Sequence, residues 1–428
     1  MMIKTRRWLG AALCVLATTI AGCEASTPEA SKNKSDVSLR VIVYTANPDQ
    51  LALLKSLADD FMKVNTEVKK VTFESIAAAD LDTKLTAELQ TSEAPDASWM
   101  TVVNSRRYIK SGALVNLAPT LQSAEGYKFD DLIPSLQKPW VDGDAQYGAP
   151  FSTSTQVLYY NADIFRAAGL PTPDKMIANG TWDWDNFRKA AAKISASEHV
   201  PAFTPDFTNI ELTYPLMYAY KASPWNDTAD TCTMDSREMA AAMTLLHDMM
   251  YTDKSTSLPG QTATVFDGSA ATSVAYLSSI SLLKNAKFEW GVVPTPAGPS
   301  GSQPTVGQSA YVAFKKGKNP DLAAKLIAHI TNPSNAQKLA AFWVPSRASL
   351  LTAAKLHESQ PLLSEAQFAP IVKGTIENGK IVPVSNNGGA AQSVLLSSLN
   401  EHLFARDAVV DNAMKSVCVD LQPSLKSR

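Results

Sequence analysis

Hydrophobic and polar positions along the chain change period several times, and each change predicts an element. From Val37, VSLRVIVYTA alternates as a strand does, and DQLALLKSLADDFMKVN then repeats its apolar residues at helical spacing. KKVTFESIA predicts a second strand, DLDTKLTAELQTS a second helix and PDASWMTVV a third strand. This βαβαβ order predicts a parallel, doubly wound α/β sheet whose ligand-binding loops gather at the carboxyl ends of the strands. Further along, TWDWDNFRKAAAKISAS, SREMAAAMTLLHDMMYT and LSSISLLKNAK carry helical periods, with Thr181 or Asp183 and Asp235 or Ser236 as caps. FEWGVVPTPAGPSGSQPTVGQSAYVAFKKG predicts two short strands joined by a Pro/Gly/Ser-rich passage. NPDLAAKLIAHITNPSNAQKLAAFW predicts two more helices, and the segment from Asn387 to about Gln422 another two.

Composition adds compartment more than chemistry. The 428 residues exceed what one hydrophobic core usually supports. With 39 basic and 41 acidic residues the net charge is −2, which supplies no basic face for nucleic acid. The start, MMIKTRRWLGAALCVLATTIAGC, has a basic opening, a short Ala-rich apolar run and small residues before Cys23, the anatomy of a secretory leader. Its last four residues, Ile20 to Cys23, resemble the bacterial lipobox. Residues 1–22 are therefore expected to be a lipoprotein signal peptide, with Cys23 lipidated and the protein held at the extracytoplasmic face of the cell membrane. Polar residues 23–36 form a tether that cannot pack. Of the four cysteines, Cys14 leaves with the leader, so Cys232 and Cys418 are either paired in an oxidising exterior or both free.

Within YGAPFSTSTQVLYYNADIFRAAGL, Tyr147 to Leu170, four hydroxyl residues from Ser152 to Thr155 interrupt good core material. Together with TWDWDNFRKAAAKI, FEWGVVPTPAGPSG, VGQSAYVAFKKGKNPDLAAKLIAHIT and WVPSRASL, this stretch resembles the extracellular solute-binding proteins (family 1) of carbohydrate-type ABC importers, the group of the maltodextrin and glycerol-3-phosphate binders. The resemblance implies a two-lobed periplasmic-binding-protein-like α/β fold. Each lobe would be a doubly wound sheet flanked by helices, with the ligand between them. Lobe 1 would span 37–151 and 297–345, and lobe 2 would span 152–296 and 346–428, with Ser152 to Thr155 in the first crossing. It also implies a monomer without cofactor or metal, a small-molecule carbohydrate ligand, and two ABC permease subunits with a cytoplasmic ATPase as partners. The site residues it implies are Tyr44 and Asn47 after the first strand, Asp80 before the second helix, and Thr101 and Asn104 after SWM. Thr153 and Ser154 come from the crossing, Trp225, Tyr276 and Ser278 from the second lobe, Gly307 and Gln308 from the return crossing, and Trp343 from the segment before VPSRASL.

Two departures from the group narrow the ligand. Maltodextrin binders carry tryptophan where Ser278 stands and aromatics where Gly388 to Gln392 read GGAAQ. Glycerol-3-phosphate binders place an arginine near the latter, and none stands between Val384 and Val394. A small sugar, short oligosaccharide or polyol is expected, with a glycerophosphodiester as the alternative. Each residue also has a packing role open to it. Trp182 and Trp184 are expected to staple a helix start, Trp225 and Trp343 either cap a core edge or cover a ligand, and the Thr153 and Ser154 hydroxyls either bind ligand or satisfy backbone. A surface-anchored glycoside hydrolase is the rival class. The five histidines are scattered, GQSAY lacks the second glycine of a nucleophile elbow, and Asp142 and Asp144 read as turn formers.

Overall fold

The computed structural model describes residues 36–77 and 80–426; the leader, Cys23 and the tether as far as Ser35 lie outside the described residues. Among the described residues the strands are, in chain order, β1 Val37–Val43, β2 Val68–Ser75, β3 Ala97–Thr101, β4 Val141–Asp142, β5 Ala145–Gln146, β6 Ala149–Asn161, β7 Phe203–Thr204, β8 Thr272–Tyr276, β9 Trp290–Val293, β10 Thr305–Ala313 and β11 Lys380–Ile381. The main sheet runs β2-β1-β3-β10-β6-β8-β7, with β9 on β6 and β11 on β10. The expected βαβαβ unit is present: β1 is parallel to both β2 and β3. β10 then returns antiparallel between β3 and β6.

β6 joins the two lobes. Its first half, Ala149 to Thr155, pairs with β10 beside the β1–β3 unit, and its second half, Gln156 to Asn161, pairs with β8 and β9. On the β1–β3 side, Leu39, Val41 and Val43 pack with Leu54, Leu57 and Phe61 of the helix Pro48–Val64 and with Leu326, Ile327 and Ile330 of the helix Pro320–Thr331. β3 is buried on both faces from Ala97 to Met100, as a central strand covered by helices must be. On the other side, Met239, Met243, Leu246 and Met249 of the helix Arg237–Tyr251 pack against the helices Gly389–His402 and Val410–Leu425. Asp183 and Ser236 are the N-caps, each accepting a hydrogen bond from a backbone amide of the first turn.

Three local expectations are corrected. The third strand ends at Thr101, because Val102 and Val103 open the helix Val102–Lys110 and are buried on it; an apolar run of that length fits either element. LSSISLL is a 3₁₀ helix, Leu277–Leu283, instead of an α-helix. A fourteen-residue helix, Glu365–Asn378, was not anticipated, although its start carries a capping box between Ser364 and Gln367. Cys232 and Cys418 form a disulfide, which closes the question their spacing left open. Among the described residues no helix is long and apolar enough to cross a membrane.

Candidate functional site

The site is built on the crossing where β6 and β10 lie side by side. Directly opposed residues of an antiparallel pair share a face, and neighbours along a strand alternate. The register opposes Ser154 with Gly307, Ser152 with Ser309, Ser309 with Thr101, and Gln156 with Tyr276. One face of the crossing therefore carries Ser152, Ser154, Gln156, Gly307, Ser309, Thr101 and Tyr276. The opposite face carries Thr153, Thr155 and Gln308.

Two tyrosines stand over the first face. The Tyr44 hydroxyl hydrogen-bonds Ser309, and its ring lies edge-on to Trp99 at 5.1 Å. The hydroxyl end of the Tyr276 ring lies against Gly307, where an added Cβ would sit 2.5 Å from a ring carbon, so only glycine admits this approach. Ser154 Oγ accepts from Ser278 N at 3.1 Å and donates to Ser278 Oγ at 3.2 Å, tying the crossing to the loop after β8.

The Tyr276 hydroxyl donates to Glu211. Glu211 keeps accessible surface although protein atoms surround it on nearly every side, and burial raises its carboxyl above the usual range, against the stabilising hydrogen bond from Tyr276 and the approach of Gln392. Burial pushes Tyr44 up to about 12, and the Glu211 charge adds to the rise. Burial and the same charge hold Tyr276 well above its usual value. The Tyr214 hydroxyl, the Gln156 carboxamide and the Gln392 amide nitrogen are buried in this neighbourhood without a completed hydrogen bond. No ion pair to Glu211 forms among the described residues, and no basic group contributes to its shift.

Asn104 closes the front. Its Oδ1 accepts from Gly389 N at 2.9 Å, and its amide reaches Thr101 Oγ1 at 3.5 Å. Gly388 has φ +62° and a Cβ there would meet Asn104 Oδ1 at 2.3 Å, so the glycine pair is what lets the two segments touch. Trp343 is half-buried and lies edge-on to Trp99 at 5.2 Å and Phe151 at 5.7 Å, at the rim of the aromatic cluster under Tyr44.

Of the thirteen expected ligand residues, the structure gathers Tyr44, Thr101, Asn104, Ser154, Tyr276, Ser278 and Gly307 around this face, with Trp343 at the edge. Thr153 and Gln308 face away and are fully employed: Thr153 Oγ1 bonds Ser346 Oγ at 2.5 Å and accepts from Gln308 Nε2 at 3.2 Å, while Gln308 Oε1 accepts from Trp140 Nε1 at 2.7 Å. Both are corrected to structural residues. Trp225 is only 3 % exposed, packed in the core next to Cys232. It borders a groove, but with so little surface exposed it is likewise corrected to a core residue. Asn47 caps the helix Pro48–Val64, accepting from Asp49 N and Gln50 N, and Asp80 is an exposed helix start without a side-chain cap. Glu211, Gln156, Ser309, Tyr214 and Gln392 were missed. Ser309 and Gln156 follow from Gly307 and Ser154 by counting in twos, whereas Glu211 stands in NIELTYP with no periodic signal to single it out.

A separate groove of about 990 Å³ runs beside the crossing, where Arg106, Lys110, Lys138, Lys221 and Lys380 face Asp142 and Asp227.

Residues 56–363 match the family profile of bacterial extracellular solute-binding proteins. The maltodextrin-binding protein MdxE of Bacillus subtilis is 25% identical over 338 residues, 75% of each chain. Among solved structures, an ABC substrate-binding protein from Listeria monocytogenes in complex with cycloalternan superposes with a TM-score of 0.77 at 20% identity, over 90% of this chain and 98% of that one. UgpB from Mycobacterium tuberculosis in complex with glycerophosphocholine does so with a TM-score of 0.75 at 20% identity, over 90% and 98%.

Proposed function

From the premise that this chain belongs to the bacterial extracellular solute-binding protein family, we propose that it captures a small sugar or short oligosaccharide outside the cell and delivers it to an ABC importer by closing two lobes. The observation that carries the reading is the row of short polar groups on one face of the β6–β10 crossing, flanked by Tyr44 and Tyr276. Hydroxyl-rich ligands need such donors and acceptors together with aromatic cover for their C–H faces. The lobe limits proposed are 37–151 with 297–345, and 152–296 with 346–428.

The chain works without chemistry of its own in this reading. Glycoside hydrolysis uses two carboxyl groups across one bond, and among the described residues no second carboxylate contributes to the rise of Glu211. Two permease subunits and a cytoplasmic ATPase do the transport work, and lipidated Cys23 holds the protein at the outer face of the cell membrane. Cys23→Ala should move the protein to the soluble fraction; a variant as tightly membrane-bound as the parent removes the anchor from the proposal.

A glycerophosphodiester is the second reading, favoured by the basic residues of the neighbouring groove. Against it, an anionic phosphate would meet the uncompensated Glu211 in the main site. A thermal-shift screen of mono-, di- and trisaccharides, polyols and glycerophosphodiesters decides. Sugar hits that are recovered unchanged after incubation support the binder, whereas hits confined to phosphorylated compounds, with steep loss of binding in salt, transfer the proposal to the second reading.

A further inference from the structure

Resting on that reading, we propose that the cleft selects a ligand bearing a protonated amine, an amino sugar or amino-substituted cyclitol, whose ammonium sits on Glu211. Glu211 is a partly exposed residue whose carboxylate accepts from the Tyr276 hydroxyl beside the polar face, with the neutral Gln392 amide approaching it and no cationic partner among the described residues. An ionised carboxylate removed from water without a counter-charge is costly, and a neutral sugar brings no counter-charge.

The titratable and polar groups that interact with Glu211 come from four elements, and none can supply the charge. Tyr276 at the end of β8 and Gln392 on the helix Gly389–His402 approach the carboxylate, while Tyr44 after β1 and Tyr214 at the start of the helix Tyr214–Ala219 feel its charge. The unpaired atoms nearby, the Gln156 carboxamide, the Tyr214 hydroxyl and the Gln392 amide nitrogen, are neutral donors and acceptors alike, so they supply no counter-charge either. Burial of Glu211 also sets the pH dependence: its carboxyl loses its proton above the ordinary glutamate value of 4.5, so amine affinity should fall in weakly acidic medium.

Calorimetry on the full folded chain at pH 7, with glucose, glucosamine and N-acetylglucosamine and with cellobiose against the glucosamine disaccharide, tests this. The expected result is at least tenfold tighter binding of the free amines than of their hydroxyl and N-acetyl counterparts, with that preference lost in Glu211→Gln. The wild-type comparison stands even if the variant folds poorly. Neutral sugars binding as tightly as the amines, or a preference that survives Glu211→Gln, overturns the amine assignment while leaving sugar capture intact. No binding by either series at millimolar concentration overturns both.

Discussion

Glu211 is a residue whose placement is costly to the fold. Burial raises its carboxyl, so the folded chain holds that proton more tightly than the unfolded chain does. The stabilising contribution is complete below the ordinary value of 4.5 and is lost as pH rises through the raised value, which makes Glu211 a greater liability to the fold at pH 7 than near pH 4. Glu211→Gln should therefore raise the melting temperature of the unliganded protein at pH 7 and leave it unchanged near pH 4, a pattern that thermal unfolding at the two pH values reads directly. An equal effect at both would mean that the carboxylate is better compensated than its surroundings indicate. Thr153 offers the converse case. Its hydroxyl serves Ser346 and Gln308, both buried, so Thr153→Val should cost about 1–3 kcal/mol of stability in denaturant unfolding through the partners left unpaired. Ligand affinity should stay within a factor of two.

At the scale of elements, the crossing strands explain why part of the site was legible in the sequence and part was not. The βαβαβ order, the helix caps at Asp183 and Ser236 and the hydroxyl-rich crossing are local signals, and the structure contains each. Which hydroxyls face the cleft is a matter of register, set by pairing with a strand some 150 residues away; Thr153 and Ser154 look alike in sequence but lie on opposite faces. Glu211 belongs to a short 3₁₀ turn, Ile210–Thr213, and acquires its role from Tyr276, 65 residues on. Trp225 carried the composition of a stacking residue, yet tertiary packing beside the disulfide buried it. Gly307 tests the crossing itself. Gly307→Ala would drive a methyl into the Tyr276 ring, which must swing away and take its hydrogen bond to Glu211 with it. Affinity should fall roughly tenfold, about 1.4 kcal/mol, with the circular dichroism spectrum unchanged. Unaltered affinity would separate Tyr276 from the ligand.

At the scale of the molecule, one helix makes three hydrogen bonds to segments distant in the chain, and the proposed hinge closure can be tested on it. From Val102–Lys110, Asn104 Oδ1 accepts from Gly389 N at 2.9 Å, Arg106 Nη1 donates to Thr228 O at 3.3 Å and Lys110 Nζ donates to Asn386 Oδ1 at 2.8 Å. Arg106 and Lys110 make solvent-exposed contacts of little individual worth, whereas Asn104 is 8 % exposed and seated in a gap that Gly388 leaves for it. A ligand held between the lobes favours the closed arrangement only by its differential affinity for it. If the Asn104 contact is part of what that arrangement already possesses, then removing it lowers the closed population before ligand arrives, and apparent affinity falls by the same fraction. Asn104→Ala should accordingly show a larger radius of gyration than the parent in ligand-free small-angle scattering. At saturation the two proteins should converge on the same smaller radius, with the variant needing several-fold more ligand to reach it. A parent radius that does not contract on saturation would remove hinge closure from the mechanism, and a variant indistinguishable from the parent without ligand would show that Asn104 contributes no closing energy.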